Sequence, residues 1–212
     1  MKKLIPILLI VAITMGSCGF PCKNAETYRI SDITLQYFSF QEGSYWVYEN
    51  SSDATDIDTL MLVDRESDFI FDYTEKSCDG DYYENTEYKL FSKRKNNTIL
   101  SVRIHSNPNY DFYTMRGEYQ DLKLTHWIDT EKRQQKFSGV PSGNTIEMLD
   151  SYTVLNETFM NVIKRTTNYS PYPDKESIYY YAPDIGLIEF SEINEQTDTR
   201  NTYLLKDYKI IR

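Results

Sequence analysis

Histidine is almost missing from this chain, which has only His105 and His126 in 212 residues. Histidine catalysis and multi-histidine metal sites therefore have little to draw on. His105 falls on the polar phase of its strand-like run and His126 on an apolar phase, so they are expected on different strands as ordinary structural or surface residues. Cysteine is scarce as well, with Cys18, Cys22 and Cys78 alone, too thin a supply for a zinc centre of three or four converging ligands. No G-x-S-x-G elbow, H-E-x-x-H helix, phosphate-binding glycine loop or S-x-x-K motif occurs. Cations are in deficit, 23 against 32 acids, for a net charge of −9. Such a surface repels nucleic acid and anionic lipid, because each phosphate contact needs a cation. No repeat, low-complexity tract or internal shift of composition marks a domain boundary.

The start of the chain is informative. Lys2 and Lys3 precede a 12-residue apolar run, Leu4 to Met15, which ends at Met15-Gly16-Ser17-Cys18. A basic segment, an apolar stretch too short to span a bilayer and small residues before a cysteine form the pattern of a bacterial lipoprotein signal. Residues 1–17 are thus expected to be a cleaved leader and Cys18 the lipidated first residue of the mature protein. Removal of Lys2 and Lys3 takes the net charge to −11 over 195 residues. The acyl chains, not a basic patch, then hold the protein to its membrane. The expected location is the cell envelope, with the outer membrane foremost and the face left open by a segment, Gly19 to Asn24, that has no acidic run. Residues 18–32 lack apolar periodicity and read as lipidated N-terminus and flexible tether. Cys22 and Cys78 are candidates for a disulfide in an exported compartment; two free or buried thiols are the alternative.

From residue 33 to 212 the recurring period is two. Leu100-Ser101-Val102-Arg103-Ile104-His105 alternates apolar with polar, and the rings of Phe69, Phe71 and Tyr73 alternate with Asp68, Ile70 and Asp72. Strands are predicted near 44–50, 57–65, 68–76, 82–94, 97–106, 110–117, 120–128, 132–138, 145–155, 158–167, 176–182, 186–194 and 201–211. Turn chemistry separates them, including Lys95-Asn96-Asn97 and Ser170-Pro171-Tyr172-Pro173-Asp174. No segment carries an apolar stripe at helical spacing. The fold class is therefore all-β, a single antiparallel domain with few or no helices. A sheet with so little helix to cover it must curl into a barrel or half-barrel, or stack as a β-sandwich, and the curled form is preferred.

Two segments carry a resemblance. Phe40-Gln41-Glu42-Gly43-Ser44-Tyr45-Trp46-Val47-Tyr48 has the form F-x-x-G-x-x-W-x-Y, and Ala182-Pro183-Asp184-Ile185-Gly186-Leu187 has the form A-P-x-x-G-L. With the lipoprotein signal, these resemble the opening and closing elements of uncharacterised secreted lipoproteins of Bacteroidota, although Ser39 stands where a proline is common. The resemblance implies an exported lipoprotein and brings no activity with it. In physical terms Gly43 and Gly186 suit turns, Pro183 pre-sets one, and Trp46 is framework or, in the functional alternative, a stacking platform.

Acidic groups at Asp53, Asp56 and Asp58, and at Asp79 and Asp81, raise the question of calcium. The EF-hand pattern fails at Tyr83 and Leu90, so solvated acidic turns are expected, with no metal and no cofactor. Tyr82 and Tyr83 follow an acidic turn, and Tyr169 and Tyr172 flank Ser170-Pro171. These four are the candidate binding aromatics, because exposed rings give rigid contact area at small entropic cost; covering the open ends of the sheet is their plainer role. The leading expectation is a non-enzymatic, lipid-anchored domain that binds a ligand or an envelope partner. Its alternatives are a carrier enclosing an apolar molecule in the curled sheet, a glycan hydrolase using two carboxylates, and a structural subunit of an envelope complex.

Overall fold

The computed structural model describes residues 25–73, 80–108, 110–117, 126–129, 144–169, 172–194 and 199–212. Its strands are β1 (Thr27–Tyr28), β2 (Tyr45–Asn50), β3 (Asp53–Tyr73), β4 (Gly80–Ser92), β5 (Asn97–Ser106), β6 (Tyr110–Gly117), β7 (His126–Asp129), β8 (Asn144–Val154), β9 (Glu157–Tyr169), β10 (Tyr172–Ala182), β11 (Gly186–Asn194) and β12 (Thr199–Lys209). Eleven of them form one sheet in the order β7-β6-β5-β4-β3-β2-β12-β11-β10-β9-β8, and β1 joins β4 in parallel. Most connections are hairpins, as the turn residues predicted. Asn96 takes a left-handed φ of 51° in the turn between β4 and β5.

The sheet is open yet strongly curled. Tyr113 on β6 and Tyr181 on β10 lie seven strand spacings apart in the sheet order, about 33 Å if the sheet were flat. Their ring centroids are 6.0 Å apart. One bent sheet, rather than two stacked ones, therefore wraps an aromatic trough, the half-barrel form of the expectation.

A short helix, α1 (Asp32–Phe38), fills that trough. It runs for only two turns, too few for an apolar stripe to emerge from the sequence, and it is the one helix among the described residues, within the expectation of few or no helices. The Ser31 hydroxyl accepts from the Thr34 N–H at the N-cap. Asp111 of β6 then accepts from the Ser31 N–H at 3.0 Å and the Thr34 hydroxyl at 2.6 Å. At the other end Arg212 donates to the carbonyls of Leu35, Gln36 and Ser39 and pairs with Asp184 at 3.1 Å, a cation placed where the helix dipole favours one. Phe38, 1% exposed, packs at 4.1 Å on the Tyr113 ring and 5.3 Å on that of Tyr181. The folded part also begins earlier than the tether reading of residues 18–32 had it, since β1 pairs with Tyr82 and Tyr83 and Ile30 is buried.

A second correction concerns β3. The expected strands 57–65 and 68–76 are one 21-residue strand, because Arg65-Glu66-Ser67 contains no glycine, proline, asparagine or aspartate to reverse the chain and the irregularity is a bulge at Val63 instead. The expected strand at 132–138 lies outside the described residues.

The two familiar segments clasp one another. The Trp46 indole donates to the Ile185 carbonyl at 2.6 Å, the Tyr48 hydroxyl donates to that of Leu187 at 2.7 Å, and Phe40 meets Trp46 edge-on at 5.1 Å. Gly186 has φ 89°, and a Cβ there would fall 2.8 Å from the Phe40 ring. Trp46, 3% exposed, is framework.

Candidate functional site

Beyond Met61 the strand β3 loses β2 as a neighbour, and the backbone contacts that replace it stop at Arg65, whose N–H donates to Glu42. From there to Tyr73, β4 is its only strand partner among the described residues. Together with β1 this end of the hairpin forms a ledge that projects past the trough. Tyr88 and Leu90 face the trough, so the alternate positions Thr86, Glu84 and Tyr82 continue that inner face, joined by their cross-strand partners Ser67, Phe69 and Phe71. The Phe71 and Tyr82 rings are 4.8 Å apart, and the Arg29 guanidinium lies 5.9 Å over Phe69. The outer face carries Ile70, Tyr83 and Tyr28. Tyr28 stacks on Tyr83 at 5.4 Å and 15°, and His105 stands 5.6 Å from Tyr83.

This end is open to water: Phe69 is 45% and Ile70 37% exposed, although both are large apolar side chains. The Tyr28 hydroxyl donates to Glu26 at 2.6 Å, and that hydrogen bond above all raises its pKa to about 12. Burial, with help from the Arg103 charge, holds His105 below its ordinary 6.5.

Of the four tyrosines singled out from sequence, Tyr82 and Tyr83 sit on the ledge, on opposite faces. Tyr169 and Tyr172 pair with each other across β9 and β10, far along the sheet order, and their side chains lie outside the described residues. Tyr28, Phe69, Ile70 and Phe71 were missed as site residues. The signal was the Phe69, Phe71, Tyr73 alternation itself, read as ordinary strand. Cys18, Cys22, Cys78 and Asp79 lie outside the described residues.

The acidic turns have local partners. Arg94 reaches Asp56 at 3.0 Å and Asp58 at 3.7 Å, and Ser92 donates to Asp58 at 2.6 Å, so a guanidinium occupies the place a cation would take. Asp53 accepts from the Thr55 hydroxyl and N–H, bonds that lower its pKa. Asp81 accepts from the Glu26 N–H. No group of three or more His, Cys, Asp or Glu positioned to hold a metal occurs among the described residues.

The trough is occupied. Between α1 and the sheet the open space is about 20 Å³, lined by Phe38, Trp46, Tyr48, Tyr88, Tyr113 and Tyr181 among others, room for one water. A ligand chamber needs several hundred Å³. Arg165 is fully buried beside this wall; loss of water pushes its pKa down to about 10, against the opposing influence of the Tyr181, Tyr179 and Tyr113 phenols.

No protein-family model matches the chain, and no curated protein matches it. Among solved structures it is similar to a candidate lipoprotein of Parabacteroides distasonis, with 10% identity over 80% of this chain and 96% of that one and a TM-score of 0.41. It is also similar to a candidate exported protein of Bacteroides fragilis with a YmcC-like fold, with 11% identity over 82% and 98% and a TM-score of 0.39.

Proposed function

We propose that this protein is a lipid-anchored, non-enzymatic binding domain of the bacterial cell envelope, and that the ledge of β1, β3 and β4 is its contact surface. The observation that carries the reading is the exposure of a large apolar side chain on each face of the ledge, Phe69 near Phe71 and Tyr82 on the inner face and Ile70 beside Tyr83 and Tyr28 on the outer, since large apolar side chains left in water at one end of a sheet are what a binding partner covers. The Cys18 signal supports the anchoring. Thr27 follows Cys18 by nine residues, a reach of at most about 32 Å, so the ledge works close to the membrane that holds the lipid. The filled trough favours an external partner over an enclosed apolar cargo.

Metabolic labelling with a fatty acid tests the anchor: label on the wild type and none on Cys18→Ser is the expected result. For the surface, the protein purified from detergent-solubilised membranes should bring down a partner that Phe69→Ser/Ile70→Ser does not. Recovery of the wild type alone would count against binding.

A further inference from the structure

The free side of β3 between Glu66 and Asp72 is a sheet edge, since alternate backbone N–H and C=O groups there point away from β4 and no strand meets them among the described residues. Edges of this kind accept an added strand. Pairing with β4 sorts the side chains along it: Ser67, Phe69 and Phe71 on the inner face, Glu66, Asp68, Ile70 and Asp72 on the outer. All seven but Phe71 are exposed.

The outer face carries a surplus of negative charge in an unfavourable arrangement. Glu66 stands directly opposite Glu87, and Asp72 directly opposite Asp81; like charges paired across strands destabilise a sheet. Asp64 and Glu87 have nearby cations in Lys89 at 2.7 Å and Arg103 at 3.7 Å. Glu66 and Asp72 stand about 20 Å apart along the strand, so a cation brought to each end of the edge would relieve the two opposed pairs. The same acids argue against a second copy of the chain as occupant, because joining two such edges would set carboxylate against carboxylate. They argue equally against an anionic lipid surface.

We infer that the β3 edge at residues 66–72 receives an extended segment of a partner protein that alternates basic with apolar residues, its cations facing Glu66, Asp68 and Asp72 and its apolar side chains facing Phe69 and Phe71. This rests on the reading of the ledge as a contact surface and specifies what that surface takes. Backbone pairing supplies the attachment and charge supplies the choice of partner.

The probe is the peptide (Lys-Val)4, compared with (Glu-Val)4 and with a (Lys-Val)4 whose backbone nitrogens are all methylated. The expected result is binding of (Lys-Val)4 to the full chain about tenfold or more tighter than either control, with those amides of residues 66–72 that point away from β4 gaining protection from hydrogen exchange. Asp68→Lys/Asp72→Lys should lose that binding, and Phe69→Ser should weaken it. Equal binding of the methylated peptide would overturn the inference, because attraction by charge alone needs no edge. Protection confined to other strands would overturn it as well. Loss of an envelope partner in Phe69→Ser/Ile70→Ser, with (Lys-Val)4 unbound by the wild type, would remove the strand inference and leave the contact surface standing. A wild type that binds neither would remove both.

Discussion

The trough and the ledge are built from the same residue types on the same sheet, and they end in opposite states. In the trough, Tyr48, Tyr113 and Tyr181 are buried, with burial first among the causes that hold their hydroxyls well above the ordinary phenol range. On the ledge, Phe69 and Ile70 stand in water. The inner face of β3 and β4 is continuous between the two regions, so the pleat does not distinguish them. What differs is cover: α1 and the curled strands β6 and β10 close over one part of that face, whereas over the other the Arg29 guanidinium, 5.9 Å from the Phe69 ring, leaves that ring 45% exposed. An aromatic ring becomes core or contact surface according to what the third dimension lays on it.

If α1 is what makes the trough a core, breaking its packing should produce the largest effect. Phe38→Ala should cost about 3–5 kcal/mol, measured by denaturant unfolding; a loss under about 1 kcal/mol would mean that the sheet holds its curl without the helix. Asp111→Ala leaves the buried donors of Ser31 and Thr34 unanswered and should cost on the order of 2 kcal/mol. Arg212→Ala removes the cap on the C-terminal carbonyls of α1 and should cost about 1 kcal/mol, with faster amide exchange within the helix as the sharper readout.

Effects on the ledge should be smaller. His105 has a lowered pKa in the folded protein, so as pH falls through 6.5 the unfolded chain takes up the proton first and stability declines until the folded group is protonated too. Arg103 adds to this depression, while Asp68, Asp72 and Asp111 oppose it. His105→Gln should flatten the stability profile as pH falls through and below 6.5 without changing the plateau above it. Phe69→Ser should move stability by no more than about 0.5 kcal/mol. A larger loss would show that the ring belongs to a core and not to a contact surface.

Much of the sheet was legible because alternation is a local property: Leu100 to His105 reads as a strand whether or not its neighbours are known, and β5 covers it. The turn at Asn96 and the glycines at 43 and 186 were legible for the same reason, since a left-handed residue is required by geometry a few bonds wide. Helix α1 was not. Two turns with Thr34, Tyr37 and Phe38 buried give no periodic signal, and its caps come from Asp111 and Arg212, 77 and 177 residues from their partners. Tyr82 and Tyr83 were found from sequence because they follow a turn, whereas Phe69 and Phe71 passed as ordinary strand.

By itself, the amino-acid order determined the period of two, the places where the chain reverses and the run of basic, apolar and small residues before Cys18, all of which depend on residues within a few positions of one another, while composition alone set the excess of acids over cations. Only the tertiary structure decided that the sheet bends until β6 touches β10, that α1 plugs the bend, and that β3 outruns β2 to leave an acidic edge with Phe69 and Ile70 exposed. Those outcomes depend on contacts between residues far apart in the chain, and a pleated strand carries no mark of what will come to lie against it.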